Sequence, residues 1–168
     1  MKKTAEISPC GKYRFSLSRI WEEEKPKVLF IMLNPSTADS EIDDPTIRRC
    51  IGFARNWGFG GINVVNLFPF RATSPNSLFH QTNLIGNPGE NTITISRYID
   101  ESALIICAWG NGPIVRRLMN RNEFYRHQLT MILSNKKDLN CLGTNFDGYP
   151  KHPLYVKYTT YQPFNLNL

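Results

Sequence analysis

The stretch from residue 27 to residue 49 constrains the fold most, because an apolar run passes there into a polar loop and then into a helix start. Residues 28–33 are apolar without interruption. Such a run predicts a strand that is buried on both faces, as in a parallel sheet covered by helices. The strand is expected to stop at Asn34-Pro35, because proline cannot donate to a sheet ladder and biases the preceding residue toward an extended conformation.

A helix is expected to follow the polar loop. Asp43 or Asp44 is the expected cap, with Pro45 in the first turn, and apolar residues then recur at helical spacing as far as Ala54. Open α/β sheets keep ligand sites where a strand passes through such a loop into a helix. Together with Asp39, the two capping candidates also permit a second interpretation, in which carboxylates gather Mg²⁺ and a phosphate for nucleotide hydrolysis or transfer.

Apolar runs and helical patterns alternate along the rest of the chain. This alternation predicts a three-layer α/β/α sandwich around a mostly parallel central sheet of about four strands. Residues 129–133 are a candidate extension of the last helix. The further strands are expected at residues 62–67, 103–108 and 139–142, and the further helices at 90–102 and 114–120.

The N-terminal segment has a different pattern. Tyr13, Phe15 and Leu17 alternate with polar residues, which predicts a half-exposed strand in an N-terminal edge hairpin. Residues 73–89 are rich in Ser, Asn, Pro and Gly and predict a long loop with a short helical turn. Since no linker interrupts the chain, residues 1–168 are expected to form a single domain.

Composition restricts the class of protein. Twenty Lys and Arg against fourteen Asp and Glu give a formal charge of +6, which suits a polyanionic partner such as DNA or simply a solvated basic surface. The four cysteines are far apart without paired spacing, which argues against disulfides and zinc. No signal segment and no apolar run of membrane-spanning length is present, so we expect a cytoplasmic monomer without a membrane partner.

Polar residues stand where the predicted strands end. Asn34 and Asn66 each follow apolar residues, and an amide in that position must find partners or face a cavity. Trp109 and Gly110 close the third strand. Near the end of the chain, prolines on both sides restrict the backbone of His152 and hold its ring in place. These side chains are candidates for one functional site.

Several long motifs occur in an order that is specific to one family. Across almost the whole chain they resemble the bacterial and phage family called domain of unknown function 1643. The motifs are MLNPSTAD, DDPTIRRC, VVNLFPFRAT, CAWGNG, CLGTN and GYPKHPLY.

The same order of features more distantly resembles the uracil-DNA glycosylase superfamily. In that superfamily one strand ends in a loop with Asp or Asn and Pro, a later strand ends in a base-reading Asn, another ends in Trp-Gly, and a late loop carries His-Pro. The resemblance implies a glycosylase-like fold and a metal-independent enzyme without a cofactor. Such an enzyme hydrolyses the N-glycosidic bond of a damaged or modified base flipped out of DNA.

The resemblance also implies roles for individual residues. Asn34, with Ser36 or Asp39 nearby, is expected to position the attacking water, and His152 is expected to face the oxygen that gains negative charge as the base leaves. Asn66 is expected to bind the base edge, and Phe68 or Phe70 to stack on the base. The candidate phosphate contacts are Lys151, Arg116, Arg117 and Arg71.

Two departures from the superfamily pattern leave alternatives open. The late loop continues with Leu154-Tyr155 instead of a small polar residue and a second proline, and Asp39, Asp44 and Arg49 have no counterpart. Asp44 has a structural explanation as a helix cap, and Arg49 has one as an ion-pair partner. A non-catalytic nucleic-acid-binding module and an enzyme that acts on free nucleotides or nucleosides remain the alternative functions.

Overall fold

One mixed sheet carries the fold, with helices on both of its faces. The computed structural model describes residues 1–87, 89–135 and 137–166 of the chain. Within these residues the sheet has seven strands in the order β1-β2-β4-β3-β5-β6-β7. The strands are β1 (Lys2–Ile7), β2 (Arg14–Ile20), β3 (Lys27–Met32), β4 (Gly61–Asn66), β5 (Leu104–Cys107), β6 (Leu139–Cys141) and β7 (Gln162–Pro163), and the helices are α1 (Pro45–Asn56), α2 (Glu90–Glu101), α3 (Gly112–Met119) and α4 (Glu123–Leu133).

The four central strands run parallel, in the order β4-β3-β5-β6. Met32 pairs with Asn66, and Ile31 pairs with Cys107, so these strands end side by side at one edge of the sheet. One apolar core lies between the sheet and α2, α3 and α4, and a second lies between the sheet and α1. The buried apolar runs therefore form the parallel strands that the sequence predicts, with helices covering both faces.

The sheet is larger than the prediction of about four strands. The predicted N-terminal hairpin is present, with β1 antiparallel to β2, but β2 also pairs with β4 and so continues the central sheet. The prediction of a half-exposed strand is wrong, since Arg14 to Arg19 are all buried in β2. The alternation of apolar and polar residues did not indicate exposure, because polar side chains of β2 are buried with hydrogen-bond partners. The Ser18 hydroxyl, for example, donates to the Asn63 side chain at 2.7 Å.

Several local predictions are confirmed. Asp44 caps α1, because its carboxylate accepts a hydrogen bond from the Ile47 amide at 2.9 Å, and Pro45 stands in the first turn. The long loop contains a 3₁₀ turn at Pro75–His80, and its residue 88 lies outside the described residues.

Residues 129–133 do not extend α3, because Asn122 caps a separate helix, α4, by accepting from the Phe124 amide. No helix in the described residues is long and apolar enough to cross a membrane.

A buried ion pair joins β2 to the loop before α1. Arg19 is fully buried, and its Nε donates to the Asp43 carboxylate at 2.6 Å. Its other guanidinium nitrogens donate to backbone carbonyls, including those of Ser18 and Asp39. Buried charges require such pairing and hydrogen bonding. Arg19 therefore holds the loop that connects the end of β3 to α1, and this loop forms one wall of the cavity described next.

Candidate functional site

A cavity of about 730 Å³ lies at the carboxyl ends of the parallel strands. Its walls come from the ends of β3, β4 and β5, from the start of α1, and from the late loop of residues 145–156. It thus occupies the place where open α/β sheets bind ligands. Five of the residues predicted from the sequence lie together in its lining: Asn34, Ser36, Asn66, Lys151 and His152.

Asn34 follows directly after β3 and is half-buried. Its amide nitrogen donates to the backbone oxygens of Pro35 at 3.0 Å and Ala72 at 2.8 Å. Both partners are carbonyls that only accept, so the contacts fix which end of the amide is the nitrogen. The Asn34 side chain therefore keeps its oxygen free of these bonds, as an acceptor that can orient a water molecule but cannot take its proton.

Asn66 ends β4 opposite Met32, the last residue of β3, and is buried. Its side-chain oxygen accepts a hydrogen bond from Arg14 Nη2 at 3.3 Å. Its side-chain nitrogen is buried and has no hydrogen-bond partner within the described residues. Arg14 therefore leaves the amide of Asn66 as a donor toward any ligand, which fits a contact to an acceptor on a base edge.

The hydrogen bond that His152 makes sets its tautomer. Nδ1 accepts from the Leu154 amide at 3.3 Å, which places the ring proton on Nε2. Burial lowers the pKa of His152 below its ordinary value of 6.5, and the nearby carboxylate of Asp44 opposes this shift in part. The ring is therefore neutral at pH 7 and is a hydrogen-bond donor through Nε2, as stabilisation of a developing oxyanion requires.

The turn after β5 supports the His152 ring. Gly110 has φ of +58°, and a Cβ built there would lie 3.0 Å from the His152 Cβ. Asn111 has φ of +40°, the left-handed conformation that few residues other than glycine adopt. Both residues line the cavity. Glycine at position 110 therefore permits the backbone to approach His152 closely.

Burial of His152 predicts acid sensitivity. Because its pKa is lower in the folded state than in the unfolded state, the unfolded chain binds more protons and the free energy of unfolding falls as the pH falls below 6.5. We expect His152→Asn to weaken this dependence between about pH 7 and pH 5, since the asparagine oxygen can replace Nδ1 as acceptor without titrating. Urea unfolding across that range measures the effect. Equal pH dependence in both proteins would show that His152 does not contribute.

Asp39 does not lie in the cavity lining. Its carboxylate accepts from the amides of Glu41 and Ile42 at 2.8 and 2.9 Å, and these bonds lower its pKa. The Asp39 carboxylate therefore stabilises the loop to which it belongs. The three acidic residues also do not gather as a magnesium site, because Asp43 pairs with Arg19 and Asp44 caps α1. No metal-binding group of three such side chains occurs within the described residues.

The two predicted stacking residues lie elsewhere. Phe68 is fully buried and packs edge-to-face on Tyr125 at 4.9 Å between ring centroids. Phe70 packs in the same way on Tyr13 at 5.8 Å. Neither lines the cavity: Phe68 belongs to the apolar core, and Phe70, which is partly buried, packs against that core. Both follow Asn66 closely in sequence, but their rings pack on Tyr125 and Tyr13 instead.

The predicted phosphate contacts are also divided. Lys151 is exposed and lines the cavity. Arg116 lies on the Tyr149 ring and reaches Asp147 at 3.5 Å, whereas Arg117 lies 4.2 Å from the centre of the Phe79 ring. Arg71 donates to loop carbonyls. These three arginines lie outside the lining and pack on the protein itself, so Lys151 is the predicted cation that reaches the site.

Among the other residues that line the cavity, three have side chains with chemistry that the predicted site did not include. Arg14 is buried on β2, and Asp44 reaches the wall from the start of α1. Tyr155 is 85% exposed at the mouth, with its ring centroid 5.8 Å from that of His152. A signal existed for Tyr155, since it stands where the late loop departs from the glycosylase pattern. The alternating pattern of β2 gave no indication that Arg14 lines the cavity.

Asp44 has two functions to separate, because it caps α1 and also lines the cavity. We expect Asp44→Ala to lower the free energy of unfolding by about 1 kcal/mol, as loss of a helix cap does. Asp44→Asn is the matched variant, since asparagine caps equally well and removes only the charge. Chemical unfolding of both variants measures the cap. Equal losses of stability would show that the charge, rather than the cap, stabilises the fold.

The arrangement combines an acceptor beside β3, a donor beside β4 and a neutral imidazole donor on the late loop. Such a set can orient a water, hold a polar heterocycle and stabilise negative charge on a departing group.

The family model described as protein of unknown function (DUF1643) matches residues 14–154. This range begins at Arg14 and includes nearly all of the cavity lining, up to Leu154. Neither a curated protein nor a solved structure matches the chain.

Proposed function

The chain belongs to the family of proteins of unknown function (DUF1643), and we propose that it is a DNA glycosylase-like enzyme of the uracil-DNA glycosylase type. Its reaction is hydrolysis of the N-glycosidic bond of a damaged or modified base flipped out of DNA. One observation carries this proposal: Asn34 and Asn66 at adjacent strand ends and His152 on the late loop, which are far apart in sequence, line the same cavity. Their hydrogen bonds within the protein leave Asn34 with a free acceptor, and Asn66 and His152 with a free donor each, as these roles require.

Bond cleavage precedes water attack in this proposal. An amide oxygen on Asn34 orients a water molecule but cannot deprotonate it, so catalysis relies on stabilising a dissociative transition state. The base leaves as an anion with the electron pair of the glycosidic bond, and His152 Nε2–H donates to the oxygen on which the charge gathers. Water then adds to the sugar cation, and the proton that it loses neutralises the base anion. Asn66 Nδ2 donates to the base edge. Tyr155 replaces Phe68 and Phe70 as the aromatic side chain for stacking, since it is exposed at the cavity mouth.

A second, more open depression of about 430 Å³ supports a nucleic-acid substrate. It shares residues 154–156 with the cavity and adds Arg49, Lys157 and Tyr158 to Tyr155. Tyr155 and Lys157 are exposed there, and an exposed ring beside a cation is typical of surfaces that bind single-stranded nucleic acid, because bases stack on the ring and phosphates contact the cation. Arg49 forms no ion pair within the described residues. Its guanidinium lies 3.9 Å from the centre of the Tyr158 ring and donates to the Val156 carbonyl.

The test is base release from DNA. Single strands and duplexes that carry uracil or hypermodified pyrimidines are incubated with the protein, and alkali then cleaves any abasic sites that have formed. We expect strand cleavage at the modified position and none in unmodified DNA of the same sequence. Absence of abasic sites across a broad set of bases, with tight and salt-sensitive DNA binding, would replace the enzyme with a non-catalytic binding module. If neither abasic sites nor DNA binding were found, the remaining alternative would be an enzyme that acts on free nucleotides.

A further inference from the structure

A buried guanidinium without a counterion lies in the cavity wall. Arg14 is only 2% exposed, and it donates through Nη1 to the Ala38 carbonyl at 2.9 Å and through Nη2 to the Asn66 oxygen at 3.3 Å. Its Nε has no hydrogen-bond partner within the described residues. No carboxylate among those residues forms an ion pair with it. Burial lowers the pKa of Arg14 to about 10, so the group still carries its charge at pH 7.

Arg19 on the same strand shows what such a charge normally requires. It is equally inaccessible, but it is paired with Asp43 at 2.6 Å. Removing a charge from water without a partner is costly, and buried charges are therefore almost always paired. Asp44 lines the same cavity as Arg14 and stabilises its charged form from a distance, but it makes no direct contact among the described residues. The counterion of Arg14 is therefore missing from the part of the chain that the structure describes.

Two other buried donors of the cavity lining also lack an acceptor. The side-chain nitrogen of Asn66 and the Trp109 Nε1 are both buried and unpartnered within the described residues, and both residues line the cavity with Arg14. All three unpartnered atoms are N–H donors. Neighbouring atoms cover them, so a ligand reaches them only when side chains in the wall shift. Because the unpartnered buried atoms of the lining are all donors, they suit a ligand group that has only acceptors.

We propose that Arg14, with Asn66 and Trp109, forms a binding site for an anionic oxygen group of the ligand, either a carboxylate or a phosphate. Ionised carboxylates and phosphates accept several hydrogen bonds, and guanidinium groups bind them through charge-assisted pairs. Such a group supplies the counterion that Arg14 lacks and satisfies the donors beside it. The proposal concerns the charge of the ligand, and it holds whether or not a glycosidic bond is cleaved.

Equilibrium binding by isothermal titration tests the proposal with two matched pairs of probes. Orotate is compared with uracil, which has the same ring without the carboxylate, and uridine 5′-monophosphate is compared with uridine. We expect the anionic member of one pair to bind roughly ten- to hundredfold more tightly, the range for hydrogen bonds to charged groups. Preference for orotate identifies a carboxylate carried by the base, and preference for the monophosphate identifies a phosphate. Equal affinities within both pairs would overturn the proposal.

Two variants separate this site from the general basic charge of the protein. Arg14→Met is expected to abolish the preference for the anionic probe. Arg71→Met removes the same charge from a neighbouring residue outside the lining, and we expect it to keep the preference. A preference that survives in Arg14→Met would overturn the assignment. If Arg14→Met does not fold, the comparison of probe pairs in the unaltered protein still decides the proposal.

Discussion

Asn34→Ala is expected to reduce the rate of base release by about two orders of magnitude, the typical loss when one preorganised catalytic hydrogen bond is removed. The amide nitrogen of Asn34 is held by the Pro35 and Ala72 carbonyls, and this leaves its oxygen to orient the attacking water. Water positioning affects the chemical step, so the loss is expected in kcat and not in KM. Single-turnover cleavage of DNA with a modified base measures it.

Asn83→Ala is the matched control. The Asn83 amide also holds a loop, because its nitrogen donates to the Gly86 carbonyl at 3.1 Å and its oxygen accepts from the Ile85 and Gly86 amides. It does not line the cavity. Both variants are expected to lose stability of about 1 kcal/mol from the broken loop contacts, but only Asn34→Ala is expected to lose activity. Equal activity in the two variants would show that Asn34 only shapes its loop.

Arg19→Met is expected to cost roughly 3–5 kcal/mol of the free energy of unfolding, because breaking a buried ion pair leaves an uncompensated charge. Arg19 is fully buried, and its partner Asp43 has a side chain only 16% exposed. The variant also removes the donors that hold the carbonyls of Ser18 and Asp39. The loop between β3 and α1 is therefore expected to lose one of its attachments to β2, while the bond from Arg14 to the Ala38 carbonyl remains. Equilibrium unfolding in urea measures the change.

Arg97→Met is the control for loss of an ion pair at the surface. Arg97 contacts Glu6 at 2.7 Å, and both side chains are 46% exposed. Surface pairs of this kind contribute about 0–1 kcal/mol, because water and salt screen them. We expect a small change for Arg97→Met and a large one for Arg19→Met. Comparable losses in the two variants would show that burial of the Arg19 pair is not what makes it important.

The sequence predicted the structure correctly where the local backbone conformation depends on a few neighbouring residues. An uninterrupted apolar run has to be a buried strand, and Pro35 ends such a strand because it has no amide proton. Asp43 or Asp44 before Pro45 indicated a helix start for the same kind of reason, and the structure identifies Asp44 as the cap. These local constraints gave the parallel strands, the start of α1 and the strand ends where Asn34 and Asn66 meet.

The sequence did not predict which groups the individual side chains contact. Phe68 and Phe70 follow Asn66 closely, but the sheet edge turns their rings into the core. Asp39 has the chemistry of a catalytic residue and instead bonds the amides of its own loop. Each outcome depends on neighbours that are distant in the chain, and propensity and spacing contain no information about those neighbours.

What the sequence determined by itself was the four parallel strands, the polar residues at their ends and the start of α1, because hydrophobic burial and backbone hydrogen bonding act over a few residues. Only the tertiary structure decided that β2 lies inside the sheet, that Arg19 is paired, and that Arg14 lies in the cavity wall without a carboxylate partner among the described residues. The physical reason is that desolvation and charge pairing depend on the whole surroundings of a group, and folding brings those surroundings together from distant parts of the chain.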